Sequence, residues 1–335
     1  MNHSQAILFG SSPATARALR SGINASFADS LSEVFRACAG HVEIPEARAE
    51  RLIGRLNAGR RETPYLYSLF FAILSAIERD DLASLQTLID RLLAAEPAKP
   101  GVLITSLIPD QFPWDAEMVS GFFAAEADSV FRYVAPPHEL VAGRTGQIRE
   151  ALNLMSACAP DLMAETEELV TTIILARAVE DTGSGDIAAF QGSSALRAFG
   201  GIIFDIEPDP TVVDTIALFV HEAAHNMLFA LSPKEGVVRN GDDERFSSPL
   251  RDDLRPLEGI FHAVFVLARM AYALELLRSS GRLTEDQAAR ATEMLSGSTR
   301  LFDDGLRTLQ RHADLTPEGE FALKSAERYM AGVAA

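Results

Sequence analysis

The run Ile216-Ala217-Leu218-Phe219-Val220-His221-Glu222-Ala223-Ala224-His225-Asn226-Met227-Leu228 constrains the fold more than any other segment. Apolar side chains occupy nearly all of it, so as a helix it must be buried around most of its circumference. A spacing of four sets His221 and His225 on one face, about 6 Å apart along the axis. Buried imidazoles need partners, and a bound metal supplies them. The chain has 7 histidines in 335 residues, and at that frequency chance supplies only about 0.01 His-Glu-x-x-His motifs. The segment is therefore expected to be a metal-binding helix, with Glu222 placed to reach a metal-bound water or an outer hydrogen bond.

Two ligands hold a catalytic metal poorly, so a third is required. The next apolar helix, expected over residues 257–280, carries Glu258 and His262, again four apart and on one face. Glu258 would complete the two-histidine, one-carboxylate set of a zinc peptidase; His262 would make a set of three imidazoles. The polar loop between the helices holds Arg239, Arg245, Arg251 and Arg255 among Asp242, Asp243, Glu244, Asp252 and Asp253. An arginine beside a metal can grip a carboxylate-bearing cosubstrate through two parallel hydrogen bonds. The same arginines can equally pair with the neighbouring acids. His3, His41, His138 and His312 stand in polar or terminal surroundings and read as surface histidines.

Abundant Ala and Leu with few strand-like patches predict a mainly α fold: a helical bundle with a small β element preceding the metal helix. A helical N-terminal region over 1–135 and a metal-binding catalytic region over 136–335 are expected. Leu66, Leu69, Phe70, Ile73, Leu74 and Ile77, then Leu82, Leu85, Leu88, Ile89 and Leu92, recur at helical steps on either side of Asp80-Asp81 and predict an antiparallel helix pair. Residues 96–113 are broken by four prolines and read as a connection around the apolar run 102–108. Residues 147–168 are helical, with a boundary at Pro160. Residues 169–179 suit a strand or a buried helix, and 181–194 read as a loop. The best strand is 200–206, and an exposed edge there would pair with an extended peptide. Thr284 and Thr316 are expected helix N-caps.

A net charge of −17 disfavours nucleic acid and anionic membrane surfaces as partners, because both need clustered Lys and Arg. A neutral or basic peptide suits it better. Cys38 and Cys158, the only cysteines, sit in helix-like contexts and suit buried thiols in a reducing compartment. With no basic segment followed by an apolar run at the start, and no charge-free apolar stretch of membrane-spanning length, a cytoplasmic location is expected. Nothing in the sequence sets an oligomeric state.

The segment Phe219-Val220-His221-Glu222-Ala223-Ala224-His225-Asn226 is followed by Ser248-Pro249-Leu250-Arg251-Asp252-Asp253-Leu254-Arg255-Pro256-Leu257 and by Gly259-Ile260-Phe261-His262-Ala263. Together they resemble the HExxH-type peptide β-hydroxylases, over roughly residues 190–270; Leu250 stands where an aromatic residue is expected. The resemblance implies a non-haem Fe(II) and 2-oxoglutarate enzyme that hydroxylates a side-chain β-carbon of a ribosomally made precursor peptide. It implies His221, His225 and His262 as metal ligands, since the Gly-x-x-His pattern recurs at Gly259–His262. It also implies Arg251 or Arg255 as the grip on 2-oxoglutarate, and an orienting role for Glu222. The alternatives are a zinc metallopeptidase, with Glu222 as general base and Glu258 as third ligand, and a helical peptide-docking module.

Overall fold

The computed structural model describes residues 8–126, 131–180, 190–207, 209–250 and 253–333. The described residues form eleven helices and a small mixed sheet, with 64% in helix, so the fold is mainly α. In chain order the elements begin with α1 (Pro13–Cys38), α2 (Glu46–Asn57), α3 (Pro64–Glu78), α4 (Leu82–Ala94), β1 (Leu103–Ser106), α5 (Ala116–Glu126), β2 (Phe131–Val134) and α6 (His138–Cys158). They continue with α7 (Pro160–Leu169), β3 (Thr172–Glu180), β4 (Gly192–Ser194), β5 (Gly201–Asp205), α8 (Val212–Leu231), α9 (Leu257–Ser279), α10 (Glu285–His312) and α11 (Pro317–Val333). Two compact units share these elements: one of Met1–Ala16, Thr145–Thr166 and Asp209–Ala335, the other of Arg17–Arg144 and Glu167–Pro208.

The second unit contains the sheet. β3 is its centre, parallel to β1 through Leu103↔Thr172 and to β5 through Ile173↔Ile202. β2 runs antiparallel to the later half of β3, and β4 antiparallel to β5. All five residues of β5 are buried, as are nearly all of β3, which explains their unbroken apolar runs. The segment 169–179 is thus the end of α7 followed by a strand. The expected free edge at 200–206 is corrected: β5 is paired on both sides, so its backbone is already spent. Ser194 and its neighbours, expected as loop, form β4, a strand too short to show periodicity. Residues 181–189 of that expected loop lie outside the described residues. The α3–α4 pair is as predicted, with its turn at Asp80, where φ is +55°.

The first unit is helical. α9 packs against α8, α10 and α11. By length and composition α9 passes as a bilayer span, although it carries Arg269 in its middle, and 78% of its apolar window is buried within the protein. It is a core helix. Arg269 on α9 and Glu165 on α7 form a buried ion pair, and Arg269 also donates to the Leu8 carbonyl. Thr284 caps α10 in a capping box, and Thr316 Oγ1 accepts from Gly319 N at 3.1 Å at the start of α11, as expected for both threonines.

Candidate metal centre

α8 begins where Thr211 and Asp214 close a reciprocal capping box. Asp214 also accepts from Arg290 of α10 at 2.8 and 2.9 Å, which ties the start of α8 to its neighbour. Fourteen of the helix's twenty residues are buried, Glu222 and Asn226 among them. His221 and His225 lie on the less buried face, with 23% of the His221 side chain exposed. The pair is therefore lined by protein but open to solvent at one edge.

The two histidines present their Nε2 atoms to each other at 3.2 Å. His262, one turn into α9, stacks on His225 with ring centroids 5.2 Å apart, and the two Nδ1 atoms lie 2.9 Å apart. Phe229 flanks both rings. Burial, and then the neighbouring His262, hold His221 down to about 4. Burial, followed by His221 and His262, puts His225 well below the ordinary histidine range. Both are neutral near pH 7, so each keeps one lone pair for a proton donor or a cation.

Glu258 is turned elsewhere. Its carboxylate accepts from Val238 N at 3.1 Å and from Val237 N at 3.3 Å, and its Oε1 lies 3.5 Å from His262 Nε2. Burial works against its charge, but His262 and the two backbone N–H groups outweigh it and hold the carboxyl below the usual carboxylate range. Glu258 therefore stands behind His262, on the ring nitrogen facing away from His225. Sequence spacing could not reveal this, because Glu258 and His262 share one helical face.

No family model matches this chain, and no curated protein matches it.

The other expected residues are more dispersed. Glu222 is 3% exposed, with Oε1 4.0 Å from His221 Nε2, too far for a direct hydrogen bond. Arg255 lies just before α9; its backbone pairs with Phe246 and its guanidinium donates to Asp253 at 3.3 Å. Arg251 lies outside the described residues. The donor chemistry of three imidazoles fits a divalent transition metal. A separation of 3.2 Å between His221 Nε2 and His225 Nε2 suits two ligands of one ion at about 2.1 Å. As they stand, however, no three His, Cys, Asp or Glu side chains among the described residues are arranged to hold an ion. His225 offers a different nitrogen to each of its neighbours.

Proposed function

We propose that this chain is an Fe(II)- and 2-oxoglutarate-dependent hydroxylase acting on a side-chain β-carbon of a ribosomally made precursor peptide. The observation that carries the reading is the grouping of His221, His225 and His262, with Glu258 engaged by backbone N–H groups. That arrangement favours three imidazoles over the two-histidine, one-carboxylate set of a zinc peptidase. In this reading α8 to α11 form a helical bundle that carries the metal. When bound, iron and 2-oxoglutarate supply the oxidant: one atom of O₂ enters the peptide C–H bond, the other enters succinate, and CO₂ leaves.

The chain's own residues have simpler tasks. His221, His225 and His262 would hold the metal through their ring nitrogens. Arg255, exchanging exposed Asp253 for it, or else Arg251, grips the distal carboxylate of 2-oxoglutarate. Glu222, buried beside His221, orients a water or a peptide group. Leu250 and Leu254 are exposed on the loop before α9 and offer apolar contacts to a peptide.

The second reading, a zinc peptidase, rests on the burial of Glu222 next to His221, where a general base would stand. Glu222→Gln separates the two. A peptidase would lose activity by orders of magnitude, whereas a hydroxylase keeps its metal and part of its turnover. Protein loaded with Fe(II) should convert 2-oxoglutarate to succinate in air. Peptide cleavage without 2-oxoglutarate, abolished in Glu222→Gln, would overturn the hydroxylase reading.

A further inference from the structure

We propose that a groove between α4 and α5 is a docking site for an acidic peptide segment, one that sets apolar side chains between carboxylates. The site does not depend on the metal centre, because every lining residue belongs to the unit that holds the sheet. α4 and α5 both pack on α3 but make little contact with each other, and the gap between them holds about 560 Å³. Ala72 and Ser75 of α3 are small and keep it open, while Leu88 of α4 and Met118 and Phe122 of α5 supply apolar lining.

Leu88, Met118 and Phe122 are only half-buried, so the protein leaves apolar surface to water along the groove. Phe122 is held in place: Phe71 lies against it with ring centroids 6.4 Å apart, and the Arg197 guanidinium stands 5.9 Å over its ring. A side chain fixed before binding spares a partner the cost of ordering it. Ile77 and Leu82, on either side of Arg79 in the chain, are 40% and 48% exposed and add apolar surface at the α3–α4 turn. Phe, Met and Arg are among the residue types that protein interfaces favour.

Charge decides the occupant. The chain carries 47 acidic and 30 basic residues, yet the described residues that line the groove include Arg79 and Arg91 and no carboxylate. The net charge of −17 favours a neutral or basic peptide for the chain as a whole; in the groove that preference is reversed. Arg79 is exposed and takes no ion pair among the described residues, while nearby Asp81 caps α4 by accepting from Ser84 N at 3.1 Å. Arg91 donates to Asp115 at 3.2 Å, a half-exposed pair that water keeps weak. The α4 lining runs from Ala83, just past the turn from Arg79, to Arg91, a rise of ~12 Å, so the two cations stand at opposite ends. Carboxylates four residues apart on an extended chain span ~13 Å and match that separation.

The test is calorimetric titration of the full chain at low salt with the end-capped peptide Gly-Glu-Leu-Phe-Leu-Glu-Gly. It should bind, and the same peptide with lysines in place of both glutamates should not. Added salt should weaken the complex. Combining Arg79→Glu with Arg91→Glu should weaken the acidic peptide by roughly tenfold or more and admit the lysine peptide instead. Ala72→Phe, which fills the groove and leaves its charge alone, should abolish binding of the acidic peptide. Arg36→Glu, at an exposed position of α1, should change nothing. Thermal melts establish that each variant is folded. Wild type that binds both peptides equally, or neither, would overturn the proposal. So would an acidic peptide that binds the folded double variant, or folded Ala72→Phe, as tightly as wild type.

Discussion

Neutral imidazoles, a buried glutamate and an arginine near the start of α9 define the chemistry at the scale of single residues. Arg255 spends its guanidinium on Asp253, an exposed partner worth little in water. A cosubstrate carboxylate beside a cation is the stronger attraction, and a charge-assisted bond of this kind is worth about 1.5–3 kcal/mol. Arg255→Met should therefore raise the 2-oxoglutarate requirement roughly 10–100-fold in a succinate assay. An unchanged requirement would clear Arg255 of that role and pass it to Arg251.

Glu62, in the unit that holds the sheet, makes a separate residue-scale prediction. It is 2% exposed and paired with Arg55 at 2.8 Å, yet burial pushes its carboxyl up to about 7 against Arg55's opposing pull. The unfolded chain releases this proton near 4.5, so between those values unfolding releases a proton and stability falls as pH rises. The contribution is complete below pH 4.5 and lost above 7. Denaturant melts across pH 4.5–7 should show this decline in wild type and a flatter profile in Glu62→Gln.

Among the elements, α8 and α9 are the most legible in the sequence. A proline before Thr211, an acid at the third helical position and Gly281 beyond the end mark their limits, and both helices form as expected. The pairing of His221 with His225 is legible too, because a spacing of four sets both on one helical face. The orientation of Glu258 is not. It depends on the turn at Gly236, which local sequence does not reveal. β1 and β4 are hidden for another reason: three or four residues carry no periodicity, and their pairing partners lie far along the chain. The ion pair from Arg269 to Glu165 cannot be read from local pattern, because its partners are 104 residues apart. It joins α9 to α7 with both side chains buried, so Glu165→Ala should strand a charged guanidinium and cost about 3–5 kcal/mol. Chemical denaturation measures this directly, and a loss below about 1 kcal/mol would show that water reaches Arg269.

At the scale of the whole molecule, the division into two units is interleaved along the sequence, with three chain segments in one and two in the other. Composition does not change at those crossings, several of which fall inside continuous helices, so no linker announces them. The catalytic reading depends only on the unit that carries α8 to α11. Its central claim is that His221, His225 and His262 hold Fe(II) and leave room for 2-oxoglutarate. Anaerobic titration of the full chain with Fe(II) and then 2-oxoglutarate, followed by visible absorption, tests this most directly. Wild type should develop a metal-to-ligand charge-transfer band that saturates at one iron per chain, and His262→Ala should not. A wild-type protein that binds iron and 2-oxoglutarate without the band, or a His262→Ala variant that keeps it, would contradict the account.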